Sequence, residues 1–485
     1  MTNNDLLLTI DQGGHATRAL LFNDHGRMMG EGLMDIEAYK PFKNWVEHDP
    51  EEVLSSVARA IKKAVNAIKM DNKKIVAAAL TTQRSSIVCW DNKSGRPLSP
   101  IISWQDRRAA SWINKFSQYA SIIHQTTGLF PTAHYGASKF RWCMDNLPAV
   151  KIAYENNHLS WGPMASFLMF RLLEQRPLIT DPANASRTLL WNFHTMDWDE
   201  TLLNLFSLPK KPLPRCVPTR FYFGDLYVSG RPVPLQIATG DQSAALFANG
   251  EPESEYAYIN IGTGAFVQRP FRNEIGFASK LLTSVVLQYD NMTTYVLEGT
   301  VNGAGSAFSK IEKELGFDPG EARQRLSDWM ETAISPPLFL NGVSGLGSPF
   351  WVPDFQSKFI GGGENWEKFV GVAESILFLL QINMIEMQKH LPHPTKILIS
   401  GGWSNHNPLC QRLADLSGVS VYRPVGHEAT SRGAAYLLAG RPKFWPETAT
   451  GSWFNPKPEP ELKTRFQRWL TLMEKAIETP YKGDI

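Results

Sequence analysis

Two aspartates beside glycines have the most chemistry to offer in this chain. Asp241 lies in Gly240-Asp241-Gln242-Ser243-Ala244-Ala245, almost at the midpoint, with apolar strand-turn-strand patterns on both sides. Asp11 opens the turn Asp11-Gln12-Gly13-Gly14-His15-Ala16-Thr17, between the apolar runs Leu6–Ile10 and Arg18–Phe22. A carboxylate ending a strand or turn at a cleft is suited to holding Mg²⁺ or acting as a general base. Taken alone, a Gly-Asp turn is ordinary, because both residues tolerate unusual backbone angles. A second glycine turn, Gly262-Thr263-Gly264, joins Tyr256–Ile261 to Ala265–Val267, and a third candidate is Ser400-Gly401-Gly402. Glycine there lets backbone amides approach a phosphate closely. Each turn alone is a common hairpin or α/β turn; recurrence at corresponding places in two halves is the signal.

The elements that must position these residues follow an α/β pattern. The opening strands and the Asn23-Asp24-His25-Gly26 turn predict a β-meander. Asp49-Pro50-Glu51-Glu52 is a strong helix start, with Asp as N-cap and Pro at the first helical position. Val53, Val57, Ile61, Val65 and Ile68 then recur along one helical face, and a strand follows over Lys74–Thr82. From Tyr256 the plan repeats, with a hairpin-like stretch to Leu297, a small-residue helix start over 298–306 and a strand at Lys396–Ser400. A helix at Pro408–Leu416 and a strand at Ser420–Tyr422 come next. The expected division is a lobe over 1–246, a second over 247–440, and an extension over 441–485 ending in an amphipathic helix at Glu461–Ile477. Two diverged copies of one plan place a ligand cleft between them.

Composition narrows the classes. At 485 residues with 43% hydrophobic and 20% charged, the chain has the make-up of a globular protein of two domains or lobes. With 49 basic against 47 acidic residues, nothing favours nucleic acid or a membrane surface as partner. Met1–Leu8 lacks the basic start and long apolar run of a signal peptide, so a cytoplasmic location is expected. Cys89, Cys143, Cys216 and Cys410 show no metal-ligand spacing and are expected to be reduced, mostly buried thiols. No Gly-x-x-x-x-Gly-Lys-[Ser/Thr] motif is present, which excludes a P-loop, and His427-Glu428-Ala429-Thr430-Ser431 lacks the second His of a zinc motif.

An ordered set of motifs carries a resemblance. Asp11-Gln12-Gly13 with Arg18, Thr82-Gln83-Arg84, Trp104-Gln105-Asp106-Arg107-Arg108 and Thr127-Gly128-Leu129 with Lys139 and Trp142 come first. Gly240–Ala245, Gly262–Gly264, Glu298-Gly299, Gly345–Pro353, Gly401-Gly402 and Glu428-Ala429-Thr430 with Gly433-Ala434-Ala435 complete it. In this order, over nearly the whole chain, they resemble the FGGY carbohydrate kinases, and glycerol kinases most. The resemblance implies two ribonuclease H-like lobes of the actin/sugar-kinase superfamily with an interlobe cleft, and ATP on the C-terminal lobe. It implies in-line transfer of the γ-phosphoryl group from MgATP to a hydroxyl of a small polyol or sugar. Asp241 would be the general base and Asp11 a Mg²⁺ holder. Arg84, Trp104, Gln242 and Phe266 match acceptor-contacting positions. Gly13, Gly14, His15, Arg18, Gly262, Thr263, Gly264, Gly305, Ser309, Gly401, Gly402, Trp403 and His406 fall on the nucleotide side. A homodimer is within what the resemblance allows.

The departures are specific. Two threonines of glycerol kinases are Gly14 and His15 here, and a Glu after the Arg of the acceptor loop is Ser85. A tyrosine falls at His134, with Tyr135 adjacent; Trp403 stands for a small residue beside the adenine and His406 for an Asn. A site built for particular hydroxyls rejects analogues strongly. The expectation is therefore a kinase of a polyol or sugar other than glycerol. A glycerol kinase with an altered pocket, and a sugar- or nucleotide-binding sensor of the same fold, are the alternatives.

Overall fold

In the computed structural model the described residues are 5–68, 74–272, 277–290, 292–426, 428–446 and 451–478; Met1–Asn4 and His427, weighed above, lie outside them. Contacts divide the chain into two units. Unit 1 comprises Met1–Pro252, Thr283–Tyr295 and Gly426–Thr448; unit 2 comprises Glu253–Leu282, Val296–Val425 and Ala449–Ile485.

Unit 1 is built on strands β1 (Asp5–Gln12), β2 (Ala16–Asn23), β3 (Met28–Asp35), β4 (Lys74–Thr82), β5 (Arg220–Val228) and β6 (Arg231–Gly240). They lie in the order β5-β6-β4-β1-β2-β3. The first three form the expected antiparallel meander, while β4 runs parallel to β1, and β6 parallel to β4. Parallel neighbours bring strand C-termini to one edge, so Asp11, Thr81, Thr82 and Gly240 come into register there. Helix α1 (Pro50–Asn66) begins as its sequence predicts, with Asp49 Oδ1 accepting from the amides of Glu51 (2.7 Å) and Glu52 (3.2 Å). Such a cap is worth about 1 kcal/mol. Its face of Val53, Val57, Ile61 and Val65 is buried, with Ile68 packed at the margin of the same core. Gly32 on β3 permits this close packing, since a Cβ there would lie 2.0 Å from the Ala60 carbonyl oxygen.

Unit 2 carries β7 (Tyr256–Ile261), β8 (Ala265–Phe271), the part of β9 (Met292–Val301) from Val296 on, β10 (Lys396–Ser400), β11 (Val421–Arg423) and β12 (Ser452–Phe454). Six consecutive strands of its sheet run β9-β8-β7-β10-β11-β12. The helix start expected over 298–306 is corrected. β9 continues through Val301, and α2 (Gly305–Glu314) begins only at Gly305. The β-branched Thr300 and Val301 favour pairing, and the buried Glu298 accepts from Gln268 Nε2 at 2.9 Å. Helix α3 (Asn365–Met387) has the length and mean hydropathy (1.5) of a membrane span, yet 83% of that window is buried inside the protein. Its buried Glu374 is clamped by Arg412 from α4 (Asn407–Ser417) and Arg465 from α5 (Pro460–Glu478). The last helix packs through the buried Trp469 and this ion pair. Cys89, Cys143 and Cys410 are buried and Cys216 half-buried, all as free thiols.

Candidate active site

In unit 1 the catalytic candidates converge on the edge where β1, β4 and β6 end. Asp11 accepts a hydrogen bond from Thr81 Oγ1 (2.9 Å) and pairs across the hairpin with Arg18. Arg18 in turn holds Glu428 at 2.6 Å, a contact spanning 410 positions. Burial is the main reason that the Asp11 carboxyl is pushed up to about 7, and the negative charges of Asp241 and Glu428 add to it, against Thr81 and Arg18.

Asp241 follows β6 at a strand-to-helix junction and starts the five-residue helix Asp241–Ala245; its Oδ1 accepts from the Gln242 amide at 2.6 Å. Burial raises its pKa, opposed by the guanidinium groups of Arg84 and Arg187. The helix Ala429–Leu438 packs closely behind Asp241, because a Cβ at Gly433 would lie 1.8 Å from the Ala244 carbonyl oxygen. Thr430 Oγ1 reaches the Asp241 carbonyl at 3.4 Å. The sequence reading singled out Asp241 but not Arg187, which sits on the short 3-10 turn Ser186–Thr188 with no local motif to mark it. Glu428 was visible only as a motif letter, and nothing local points to its pairing with Arg18.

Two of the loops matched to the acceptor side are joined by a buried lysine. Lys139 Nζ donates to the carbonyl oxygens of Ser85 (2.9 Å) and His134 (2.5 Å), joining two loops that both depart from the glycerol-kinase pattern. Ser85 adopts a left-handed conformation, φ +64. Arg84 before it is buried and passes over Gly240, where a Cβ would fall 2.5 Å from its Cδ. Trp104 packs on His134 with ring centroids 5.5 Å apart; Tyr135 lies 4.9 Å from His134 and carries Arg187 over its ring at 5.9 Å. The Trp104 amide donates to the Ser86 hydroxyl at 3.0 Å. His134 is held well below its usual range, first by burial and then by Arg107, Lys139, Arg187 and Arg84. Phe266 falls in unit 2, on the return strand β8.

The glycine turns also divide their labour. In unit 1 the Gly13 amide closes the turn on the Ala16 carbonyl (3.0 Å), whereas the amides of Gly14 and of exposed His15 donate to no group among the described residues. In unit 2 the Gly262 amide is spent on Gly264 O (2.9 Å), and those of Thr263 and Gly264 donate to no group among the described residues. The Gly305 and Ser306 amides at the start of α2 donate to Gly262 O and Thr263 O, both at 3.0 Å, so the turn is braced by the helix start. Gly305 must be glycine for this, as a Cβ would meet Gly262 O at 2.5 Å and Trp403 Nε1 at 2.7 Å. Ser309 Oγ is turned inward to Gly305 O at 3.0 Å.

Gly401, at φ +94, passes against Ile261, and the Gly402 carbonyl accepts from Arg323 at 3.2 Å. Trp403 is 9% exposed, stacked on Phe308 at 4.0 Å with the Arg323 guanidinium 4.7 Å from its centroid. His406 shares a hydrogen bond with Ser327 Oγ at 3.0 Å and is lowered by burial and Arg323. These residues form one cluster in unit 2.

The comparisons with known proteins agree with this architecture. The sequence models of the FGGY carbohydrate kinases match over residues 6–248 for the N-terminal domain and 257–440 for the C-terminal domain. A glycerol kinase of Thermococcus onnurineus is 31% identical over 97% of this chain and 98% of its own length. Among solved structures, the Plasmodium falciparum glycerol kinase with ADP superposes with a TM-score of 0.88 at 24% identity, over 98% of this chain and 99% of that one. A ligand-bound xylulose kinase from Lactobacillus acidophilus gives a TM-score of 0.83 at 20% identity, over 98% of this chain and 99% of that one. With both domain models matched in order over nearly the full length, the chain belongs to the FGGY family of carbohydrate kinases.

Proposed function

We propose that the protein transfers the γ-phosphoryl group of ATP to a hydroxyl of a small polyol or sugar other than glycerol, with Asp241 as general base. The observation that carries this reading is the setting of Asp241, a carboxylate of raised pKa facing Arg84 and Arg187 at a strand-to-helix junction. Burial makes it a stronger base than an ordinary carboxylate, and the two arginines limit the rise so that it ionises. Asp241 takes the proton as the acceptor O–H bond breaks. The new O–P bond forms as the bond from the β,γ-bridging oxygen to the γ-phosphorus breaks, and ADP leaves. Little covalent chemistry falls to the protein, so positioning and charge stabilisation carry the rate.

The residues present fit a Mg²⁺ ion. Asp11, Asp241 and Glu428 raise the local negative potential, which a divalent cation relieves. Among the described residues no three His, Cys, Asp or Glu side chains converge as a cage, so Asp11 would hold the ion largely through water, as Mg²⁺ commonly prefers. When bound, Mg²⁺ supplies charge neutralisation at the phosphate oxygens. The open amides of Gly14 and His15 in unit 1, and separately those of Thr263 and Gly264 in unit 2, each suit a phosphate oxygen. The remaining nucleotide-side residues are Arg18, Gly305, Ser309, Gly401, Gly402 and His406. Trp104 and Tyr135 in unit 1 offer aromatic surface for a carbon chain, with Gln242 for a hydroxyl, and Phe266 is the family-matched acceptor position on unit 2. Ser85 where glycerol kinases have Glu removes a strong acceptor for glycerol's hydroxyls.

A binding-only sensor is the second reading, favoured by Trp403. Phe308 and Arg323 cover its ring, which leaves little of it for a base to stack on. ADP release with MgATP across polyols, tetroses, pentuloses and hexuloses separates the two. A strong signal with one compound other than glycerol supports the kinase and names its substrate. Silence across the panel, with ATP binding retained in calorimetry, sinks turnover in favour of the sensor.

A further inference from the structure

The acceptor side of unit 1 opens beside a cavity of about 600 Å³ whose walls include Lys40, Phe42, Lys43, Trp45, Gln105 and Arg107. Among the described residues, no acidic side chain lines it. The wall is built, not merely a solvated loop. Val46 N donates to Asp106 Oδ2 at 2.7 Å, Ser103 N to Val46 O at 2.9 Å, and Arg107 N to Asn44 O at 2.9 Å. Behind it, Arg108 binds Asp106 (2.8 Å) and Glu47 (2.7 Å), and its guanidinium lies 3.9 Å from the Trp45 ring centroid. The carboxylates of Asp106 and Glu47, behind this wall, are therefore already committed to Arg108.

Arg107 connects this cavity to the acceptor residues. Its Nη1 donates to the backbone carbonyls of Trp104 (2.8 Å) and Asp106 (3.1 Å), so no carboxylate neutralises it through these bonds. Its Nε and Nη2 make no hydrogen bond among the described residues. Lys40 and Lys43 are exposed and form no ion pair among the described residues. The titratable groups felt by His134, behind Trp104, are Arg107, Lys139, Arg187 and Arg84, all of them bases, of which Lys139 is itself pushed well down by burial. Around them the carboxylates are Asp241, reserved for the acceptor hydroxyl, and the committed Asp106 and Glu47. Ser85 adds no charge of its own where a Glu would.

On the kinase reading above, we propose that the acceptor is an anionic polyol, with one hydroxyl for Asp241 and a carboxylate or phosphate held by Arg107 with Lys40 and Lys43. A guanidinium with two donors free binds either oxyanion in a bidentate manner, and the exposed lysines attract it at longer range. Trp45 and Phe42 cover the carbon chain between.

The test compares neutral polyols of three to six carbons with the aldonates and the polyol phosphates of the same length. ADP release is measured for each, and calorimetric binding is measured in parallel. An aldonate or a polyol phosphate is expected to exceed its neutral counterpart at least tenfold in kcat/KM, and the two arms tell carboxylate from phosphate. Raising salt from about 50 to about 300 mM should raise the KM of the anionic acceptor several-fold more than that of the neutral one. Arg107→Gln should lower the anionic-to-neutral ratio of kcat/KM tenfold or more, and Lys40→Gln/Lys43→Gln, at exposed positions, two- to fivefold. Efficient turnover of a neutral acceptor, with that ratio unmoved in both variants, overturns the inference and leaves the kinase standing. If nothing is phosphorylated, binding decides: an anionic polyol that binds wild type and is lost in Arg107→Gln supports the site, and no such binding refutes it.

Discussion

The same corner is built twice in this molecule, once charged and once neutral. In unit 1, Asp11 on β1 lies in register with Thr81 on the parallel β4, whose hydroxyl donates to it at 2.9 Å. In unit 2, Asn260 on β7 lies in register with Ser400 on the parallel β10, and its amide donates to that hydroxyl at 3.0 Å. A glycine turn follows in each, and in each the first glycine's amide closes the turn while the next amides stay open. The segments after the partner strands differ as well. β4 leads to Arg84 against Gly240, beside Asp241, whereas β10 leads through Gly401 to Trp403 packed on Phe308. The two corners share a strand–turn plan and differ in one side-chain pair, so that only the unit 1 corner carries a carboxylate.

The largest expected effect comes from making the unit 1 centre as uncharged as its counterpart. Asp241→Asn should lower kcat by about 10³–10⁴-fold, as loss of a general base does, with acceptor affinity in calorimetry kept within a few-fold. Turnover near wild type would remove Asp241 from the role of base. Asp11→Asn copies the neutral corner directly. It should cost about 10²-fold in kcat and raise the Mg²⁺ concentration needed for half-activity, through loss of charge stabilisation at the phosphates. Its stability signature has a definite sign. A carboxyl raised from 3.8 to about 7 binds its proton more tightly when folded, so its contribution is intact below about pH 4 and is lost as pH rises through about 7. Asp11→Asn should therefore raise the Tm above pH 7, by at most about 4 kcal/mol of stability, and change it little at pH 4. The opposite order in a pH series of melting curves would refute the burial argument.

The reverse exchange, Asn260→Asp, places a carboxylate beside the braced turn of unit 2. ATP KM should rise about tenfold by like-charge repulsion, equivalent to about 1.4 kcal/mol, with the acceptor KM unchanged. An equal rise in both would mean that unit 2 does not specialise in nucleotide. Smallest is Ser85→Glu, expected to raise kcat/KM toward glycerol a few-fold. Unchanged discrimination would show that this loop does not carry the preference.

The strands were legible because apolar runs ended at Gly, Asp and Asn, and α1 because its cap, its Pro and its apolar face agreed. Asp11 and Asp241 stood out as carboxylates at strand ends, a property of local sequence. Arg187 and the Arg18–Glu428 pair did not, because they become neighbours only through packing between distant segments. Trp403 was visible as a change of size, but its burial under Phe308 and Arg323 depends on α2 and on the helix Glu321–Thr332. The helix expected near Glu298 failed where small residues suggested a start but pairing extended β9 to Val301.

Lys139 has a further consequence for how this pocket can change. One buried amine ties the Ser85 and His134 backbones together, so neither loop is an independent module. A substitution that shifts one loop tugs on the other through the lysine nitrogen whose hydrogen bonds both backbones share. Changes of acceptor along this lineage would then be inherited as linked pairs, and libraries that vary Ser85 and His134 together should yield new acceptors that single-site libraries miss.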